Sequence, residues 1–215
     1  MSTGPSPSST MPTAVIWDMG GIMYRFFTEL MVDVGRAQDW PLEHMPMGPT
    51  GPAPDPHYEA MDRGEFGEPE YVKRLAAVLA KEDIAFSPYR DIDFSNGDRP
   101  QTWAAIARLQ VAGFQQVVLT NDATQWLGER WWETWVYRRF FDAVVDVKTI
   151  GIRKPAPEPY LACVRALSIS PEECLFIDDM HVNCIGAEAV GMQSYWFDVT
   201  DPDGSLAQLM SRLGL

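Results

Sequence analysis

Cysteine is scarce in this chain of 215 residues: Cys163, Cys174 and Cys184 are an odd number, with no Cys-x-x-Cys pair. That pattern argues against a disulfide framework and against a thiolate zinc centre, and it makes cytoplasmic residence the default expectation. Long apolar runs are missing as well. None approaches the roughly 20 residues a membrane-spanning helix requires, so no membrane partner is expected. Positive charge is in short supply, with 17 Lys and Arg against 30 Asp and Glu, a formal net charge of −13. Nucleic-acid binding, which rests on cationic neutralisation of backbone phosphates, is therefore not expected. The first twelve residues are mostly Ser, Thr, Pro and Gly, with neither a basic residue nor an apolar stretch. They resemble no secretory or transit segment, and a disordered tail over 1–12 is expected.

What is present suffices for a globular fold. An apolar fraction of 46% and an aromatic fraction of 12% support one sizeable core with room for a smaller inserted domain. Val15 to Trp17, Gln116 to Leu119, Ala143 to Val147, Cys174 to Ile177 and Ser194 to Phe197 are short branched or aromatic runs bounded by turn residues. Helix-like stretches separate them, so the pattern predicts an α/β fold with a doubly wound parallel sheet, helices on both faces. Ligands collect at the carboxyl ends of such strands, where Asp18, Thr120 and Asp178 fall.

Between Tyr24 and Asp98 the strand pattern vanishes. Helices are expected at Arg25 to Arg36, Tyr58 to Arg63 and Glu68 to Lys81, the last with Tyr71, Leu75, Val78 and Leu79 on one face. Residues 25–98 thus form a helical cap inserted in a core of 13–24 and 99–215. Residues 41–56 hold six prolines and can be neither helix nor interior strand. They are expected as an extended loop, either a surface connector or a stiff rim shaping access to the site. Ser170-Pro171-Glu172-Glu173 has the form of a helix start with room for about one turn.

Asp18 ends the first buried run, where a carboxylate is desolvated enough to react, or alternatively caps the next helix. Gly20 and Gly21 let the backbone turn away and approach a ligand closely. Thr120 and Asn121 offer a hydroxyl, an amide and main-chain N–H groups suited to phosphoryl oxygens. Lys154 can offset negative charge. Two adjacent carboxylates at a buried strand end, Asp178 and Asp179, are expensive unless a cation or hydrogen-bond donors compensate them, which points to metal.

The ordered set Asp18, Thr120, Lys154 and Asp178-Asp179 resembles the four motifs of the haloacid dehalogenase superfamily: an aspartate loop, a Thr or Ser, a Lys and an acidic pair. The likeness runs from Ala14 to about Phe197 and is most specific in Gly151-Ile152-Arg153-Lys154-Pro155 and in Phe176 through Ala187. The helical insertion is similar to the small cap of the subgroup holding phosphoglycolate phosphatases, β-phosphoglucomutase, the true dehalogenases and the phosphatase domain of soluble epoxide hydrolase. Tyr58 to Leu75, with Arg63-Gly64-Glu65, is similar to that last branch.

The resemblance implies a Rossmann-like core and a magnesium-dependent phosphatase acting on a small phosphorylated metabolite. By position it makes Asp18 the nucleophile that forms an aspartyl-phosphate. It has Thr120 and Asn121 hold the transferring phosphoryl group and Lys154 neutralise charge. Asp18, the carbonyl of Gly20 and Asp179 would bind Mg2+, with Asp178 helping directly or through water.

One position departs from that pattern. The family's phosphatases carry a second aspartate two residues after the nucleophile, as general acid and base, where this chain has Gly20. Such a group contributes about 10²- to 10⁴-fold in rate. Either a cap residue substitutes, with His44, His57, Asp62 and Glu65 available, or the leaving group needs no proton, as with a sugar 1-phosphate or an acyl phosphate. The gap also keeps open a haloacid dehalogenase-type reaction and a phosphate-binding scaffold that has lost turnover. Finally, Trp131, Trp132 and Trp135, with Trp126 and Tyr137 nearby, are expected in the helix after Thr120. Adjacent helical positions diverge by about 100°, so core packing accounts for part of them and the rest leaves room for a homodimer or partner interface.

Overall fold

The computed structural model describes residues 11–121 and 123–215, so most of the expected tail, residues 1–10, lies outside the described residues. Five strands form one parallel sheet: β1 (Ala14–Trp17), β2 (Gln115–Thr120), β3 (Ala143–Asp146), β4 (Cys174–Asp178) and β5 (Gln193–Trp196). Their order is β3-β2-β1-β4-β5, with β1 central. Every residue of β1 and β4 is buried, as required of strands covered on both faces. Trp17 lies level with Val118 and Ile177, so the chain segments leaving β1, β2 and β4 emerge together at one edge.

The helices run in chain order as α1 (Phe27–Ala37), α2 (Pro56–Asp62), α3 (Glu68–Lys81), α4 (Pro88–Asp91), α5 (Pro100–Val111) and α6 (Ala123–Leu127). They continue as α7 (Trp131–Thr134), α8 (Val147–Ile150), α9 (Pro157–Leu167), α10 (His181–Ala189) and α11 (Pro202–Arg212). Alternation along each strand divides the core. Val15, Trp17, Leu175 and Ile177 pack on one face with Ile106 of α5 and Leu209 of α11. Ala14, Ile16, Cys174 and Phe176 pack on the other with Tyr160 of α9 and Ala187 of α10. The three cysteines are buried free thiols.

Residues between β1 and α5 build a separate apolar cluster from Phe27 and Met31 of α1, Tyr58 and Met61 of α2, and Tyr71 and Leu75 of α3. Two linkers join this cap to the core and run side by side, Arg25 N–H donating to Gly97 O (2.6 Å) and Arg99 N–H to Met23 O (3.0 Å). Arg99 is 6% exposed and ties the junction together. Its Nε–H donates to Gly21 O (2.8 Å) and its Nη2 to Glu29 Oε1 (2.6 Å) on α1.

The proline-rich segment is neither a loose connector nor a rim of the site. It makes one 3₁₀ turn at Leu42–His44 and sends Met45 and Met47 into the cap core. Its end is fixed by Asp55, whose carboxylate accepts from the N–H groups of Gly48 (2.8 Å), His57 (3.0 Å) and Tyr58 (2.9 Å) and from Tyr71 Oη (2.6 Å). This capping carboxylate, with Pro56 as the first helical residue, starts α2 two residues earlier than its apolar pattern suggests. Ser170 to Glu173 forms the single capped turn expected, with Glu173 Oε2 accepting from Ser170 N–H (2.9 Å).

The tryptophan-rich stretch departs from expectation. It is two short helices, α6 and α7, because Gly128 takes φ +91° and breaks the run. Trp131 is then free to turn inward, buried, with its Nε1 donating to Asp146 Oδ2 (3.1 Å), while Trp135 stacks on Phe141 at 5.4 Å. No helix among the described residues is long and apolar enough to cross a membrane.

Candidate active site

β1 extends its ladder one residue further, Asp18 N–H donating to Ile177 O (2.9 Å), which plants the Asp18 side chain at the sheet's carboxyl edge. The chain then turns through Gly20 and Gly21. Gly21 sits at φ +73°, and a Cβ there would lie 2.5 Å from Asp179 Oδ2, so glycine is needed both for the turn and for the close approach. Thr120 ends β2 and is 4% exposed; its Oγ1 accepts from Ala123 N–H (3.1 Å), starting α6.

Lys154 arrives from the loop before α9. Asn121 aligns that loop, its Oδ1 accepting from Lys154 N–H (3.0 Å) and its Nδ2 donating to Lys154 O (3.4 Å). The buried ammonium donates to Asp18 Oδ1 (2.6 Å), Asp178 Oδ2 (2.7 Å) and Leu119 O (3.3 Å), which uses all three of its protons. Asp178 is fully buried and well supported: its Oδ1 accepts from Met180 N–H (2.9 Å) and from Asn183 Nδ2 (3.0 Å) on the first turn of α10. Asp179 differs sharply, because its Oδ2 is buried with no hydrogen-bond partner.

The structure therefore brings Asp18, Thr120, Asn121, Lys154, Asp178 and Asp179 to one place, with Gly20 and Gly21 beneath them. Oxygens of Asp18, Asp178 and Asp179 lie within 4.8 Å of one another. Three carboxylates face a single ammonium, leaving two negative charges uncompensated when all are ionised. Burial pushes Asp18 up to about 7 even against the pull of Lys154, and Asp178's charge adds to the rise. Burial, with the charges of Asp178 and Asp18, pushes Asp179 well above the usual carboxylate range. Burial alone would lower Lys154, yet the Asp178 and Asp18 carboxylates outweigh it and hold the ammonium charged. A deficit of two positive charges, a cluster of hard oxygens and one orphaned carboxylate oxygen together fit a divalent cation.

A cavity of about 420 Å³ opens above this cluster, between core and cap. Its lining includes Asp18, Thr120, Lys154 and Asp179, the apolar side chains of Phe26, Phe27, Met61, Phe66, Trp126 and Met180, and the polar ones of Arg25, Glu68 and Arg153. Among the described lining residues none of the proposed substitute acids appears. His44 lies beside Glu43 in an exposed turn, and Glu65 pairs with Arg63. His57 gives its main-chain N–H to Asp55, and its ring is not part of the cavity lining. Asp62 instead clamps the core, accepting from His181 N–H (2.6 Å) and meeting its ring Nδ1 (2.9 Å).

Several residues at the site carry no separate signal in the sequence. Asn183 supports Asp178 only because α10 begins immediately after the acidic pair. Arg99 and Glu29 meet across 70 positions. Trp126 closes the cavity by stacking on Phe27 at 5.4 Å and donating to Glu68 Oε1 (3.1 Å), a contact visible only once α1, α3 and α6 are assembled.

A strand-end aspartate and a lysine bridging it to an acidic pair stand at the carboxyl edge of a parallel sheet, with a group of helices inserted after β1. The profile of the haloacid dehalogenase-like hydrolases matches residues 12–191, and the chain belongs to that family. It is 28% identical over 194 residues to Phosphatase MT3486 of Mycobacterium tuberculosis, covering 86% of this chain and 87% of that protein. It is 31% identical over 153 residues to mouse Acyl-CoA dehydrogenase family member 10, covering 70% of this chain but only 13% of that much longer protein. Glyceraldehyde 3-phosphate phosphatase of Methanopyrus kandleri is 27% identical over 143 residues, 63% of this chain and 55% of that one. Among solved structures, the hydrolase YfnB of Bacillus subtilis, crystallised with magnesium, superposes with a TM-score of 0.67 at 17% identity, over 96% of this chain and all of that one. That likeness establishes the shared fold.

Proposed function

We propose that this hydrolase cleaves small phosphomonoesters through an aspartyl-phosphate on Asp18, with Mg2+ held by Asp18, Asp179, the carbonyl of Gly20 and, directly or through water, Asp178. The observation that carries the reading is the shared position of Lys154, which neutralises one carboxylate's worth of charge and leaves a deficit of two. When bound, the ion would offset the remaining charge and polarise a phosphoryl oxygen.

Lys154 fixes the Asp18 carboxylate through Oδ1, so the aspartate faces the cavity in one orientation rather than sampling many. An Asp18 oxygen attacks phosphorus, the ester P–O bond breaks, and water then hydrolyses the aspartyl-phosphate. Thr120 Oγ1 and main-chain N–H groups around Gly20 and Gly21 hold the phosphoryl oxygens, while Lys154, whose protons go to Asp18, Asp178 and Leu119 O, offsets their charge through space. Asn121 acts mainly by positioning Lys154, because its side-chain amide is taken up by the main chain of that residue. A carbon–halogen-cleaving site needs no metal, and the uncompensated carboxylates favour the phosphate reading over it.

A phosphate-release panel of metabolite phosphates, run with and without Mg2+ beside Asp18→Asn, tests this. Turnover should require the metal and should fall by at least about 10³-fold in the variant. Metal-independent chloride release from 2-chloropropionate, or phosphate release that survives Asp18→Asn, would overturn it.

A further inference from the structure

The acid missing at Gly20 and the composition of the cavity wall constrain the same property of the substrate, the group that leaves. From these two observations, and resting on the phosphatase reading above, we infer that the preferred substrates are aryl phosphates, in which phosphate is esterified to a phenolic oxygen on an apolar ring.

The first observation concerns proton supply. No carboxylate stands two residues after Asp18, and none of His44, His57, Asp62 and Glu65 is among the described residues that line the cavity. Glu68 does line it, but its Oε1 accepts from Trp126 Nε1. A leaving group that departs without protonation must be a weak base. A phenol ionises near pH ~10, far more readily than an aliphatic alcohol, so its phenolate can leave unassisted.

The second observation concerns the wall itself. Beside the charged cluster the cavity is lined by Phe26, Phe27, Met61, Phe66 and Trp126, with Met180 next to the acidic pair. Trp126 and Phe27 stack face to face (5.4 Å, interplanar 26°), and Phe66 is held under the Arg74 guanidinium at 4.1 Å. Arg25, Glu68 and Arg153 also line the cavity, but against the aromatic faces themselves a polyhydroxylated sugar would lose water without gaining hydrogen bonds, whereas a flat ring gains stacking and burial. A cavity of about 420 Å³ accommodates one or two fused rings beside a phosphate.

In the reaction, an Asp18 carboxylate oxygen forms a bond to phosphorus as the bond from phosphorus to the aryl oxygen breaks. The electron pair leaves on the phenolate, which takes its proton from water, and a second water cleaves the aspartyl-phosphate. The sum is aryl phosphate and water giving phenol and inorganic phosphate.

The test compares kcat/KM of the full chain with Mg2+ for phenyl phosphate, ring-substituted phenyl phosphates, acetyl phosphate, glucose 1-phosphate and glycerol phosphate. Phenyl phosphate should exceed glycerol phosphate by about 100-fold or more, and rates across the substituted series should fall steeply with leaving-group pKa. Trp126→Leu, shown to be folded by its thermal melt, should raise KM for phenyl phosphate about tenfold, with Phe66→Ala as the companion variant. Glucose 1-phosphate or acetyl phosphate outperforming phenyl phosphate, a flat leaving-group series, or an unchanged KM in both folded variants would overturn the inference while leaving the phosphatase reading standing. Release of phosphate from none of the compounds would instead remove the reading on which it rests.

Discussion

Two buried aspartates in this molecule have opposite surroundings. Asp55, inside the cap, accepts four hydrogen bonds, three from main-chain N–H groups and one from Tyr71. Asp179, at the mouth of the sheet, has a buried oxygen with no partner and two further carboxylates within 4.8 Å. A buried charge that is fully hydrogen-bonded organises structure, whereas one left wanting stores free energy that a ligand can release. The cap residue is therefore read as a structural centre and the core residue as a binding group, although both are aspartates in a chain of 30 acidic side chains.

The comparison breaks most easily at Asp55. Asp55→Ala removes the N-terminal cap of α2 and strands the N–H groups that hold the proline-rich segment, at a cost of about 3 kcal/mol. Thermal unfolding followed by circular dichroism should show a midpoint lowered by about 6–12 °C. A shift below about 2 °C would mean the segment is held by Met45 and Met47 alone.

The opposite sign is expected at Asp179. Asp179→Asn removes one of three crowded charges, so the metal-free protein should gain about 2 kcal/mol, within the range by which relieving buried like charges changes stability. The same variant should lack the rise in melting temperature that Mg2+ is expected to give the unaltered chain. A destabilised variant, or one that still responds fully to Mg2+, would show that Asp179 is structural after all.

The ease with which each part could be read from the sequence follows the same division. The five strands, the run of helices between β1 and α5 and the acidic pair are local features: apolar runs bounded by turn residues, and charges that should not be adjacent at a buried strand end. The helix Glu68–Lys81 is legible to the residue because its apolar stripe and its flanking glycine agree. The proline-rich segment was not, since prolines state only which hydrogen bonds cannot form, and the packing of Met47 and the grip of Asp55 on Tyr71 depend on contacts 16 positions apart. Likewise, one glycine at φ +91° separates Trp126 from Trp131 and Trp132 in two short helices, with Trp135 just beyond the second. Gly20 was visible as a missing acid, but the absence of a cap residue to replace it at the cavity floor required the assembled site.

The smallest effect sharpens the contrast through pH. Asp18 and Asp179 have folded-state pKa values raised above those of an unfolded chain, Asp18 to about 7, because burial penalises their charged forms. The folded protein therefore binds protons that the unfolded chain has already released. The stability this contributes is complete below about pH 4 and is lost as pH rises through the folded value. Metal-free protein should accordingly become less stable by about 1 kcal/mol between pH 6 and 8, measured by urea unfolding in chelator. Asp18→Asn should reduce that slope, because its amide carries no charge to penalise. Saturating Mg2+ should reduce or reverse it, since only ionised carboxylates coordinate the ion and binding then pulls against protonation. A stability that rises from pH 6 to 8 in the metal-free protein would mean that Lys154 compensates the whole cluster, and the contrast between the two aspartates would disappear.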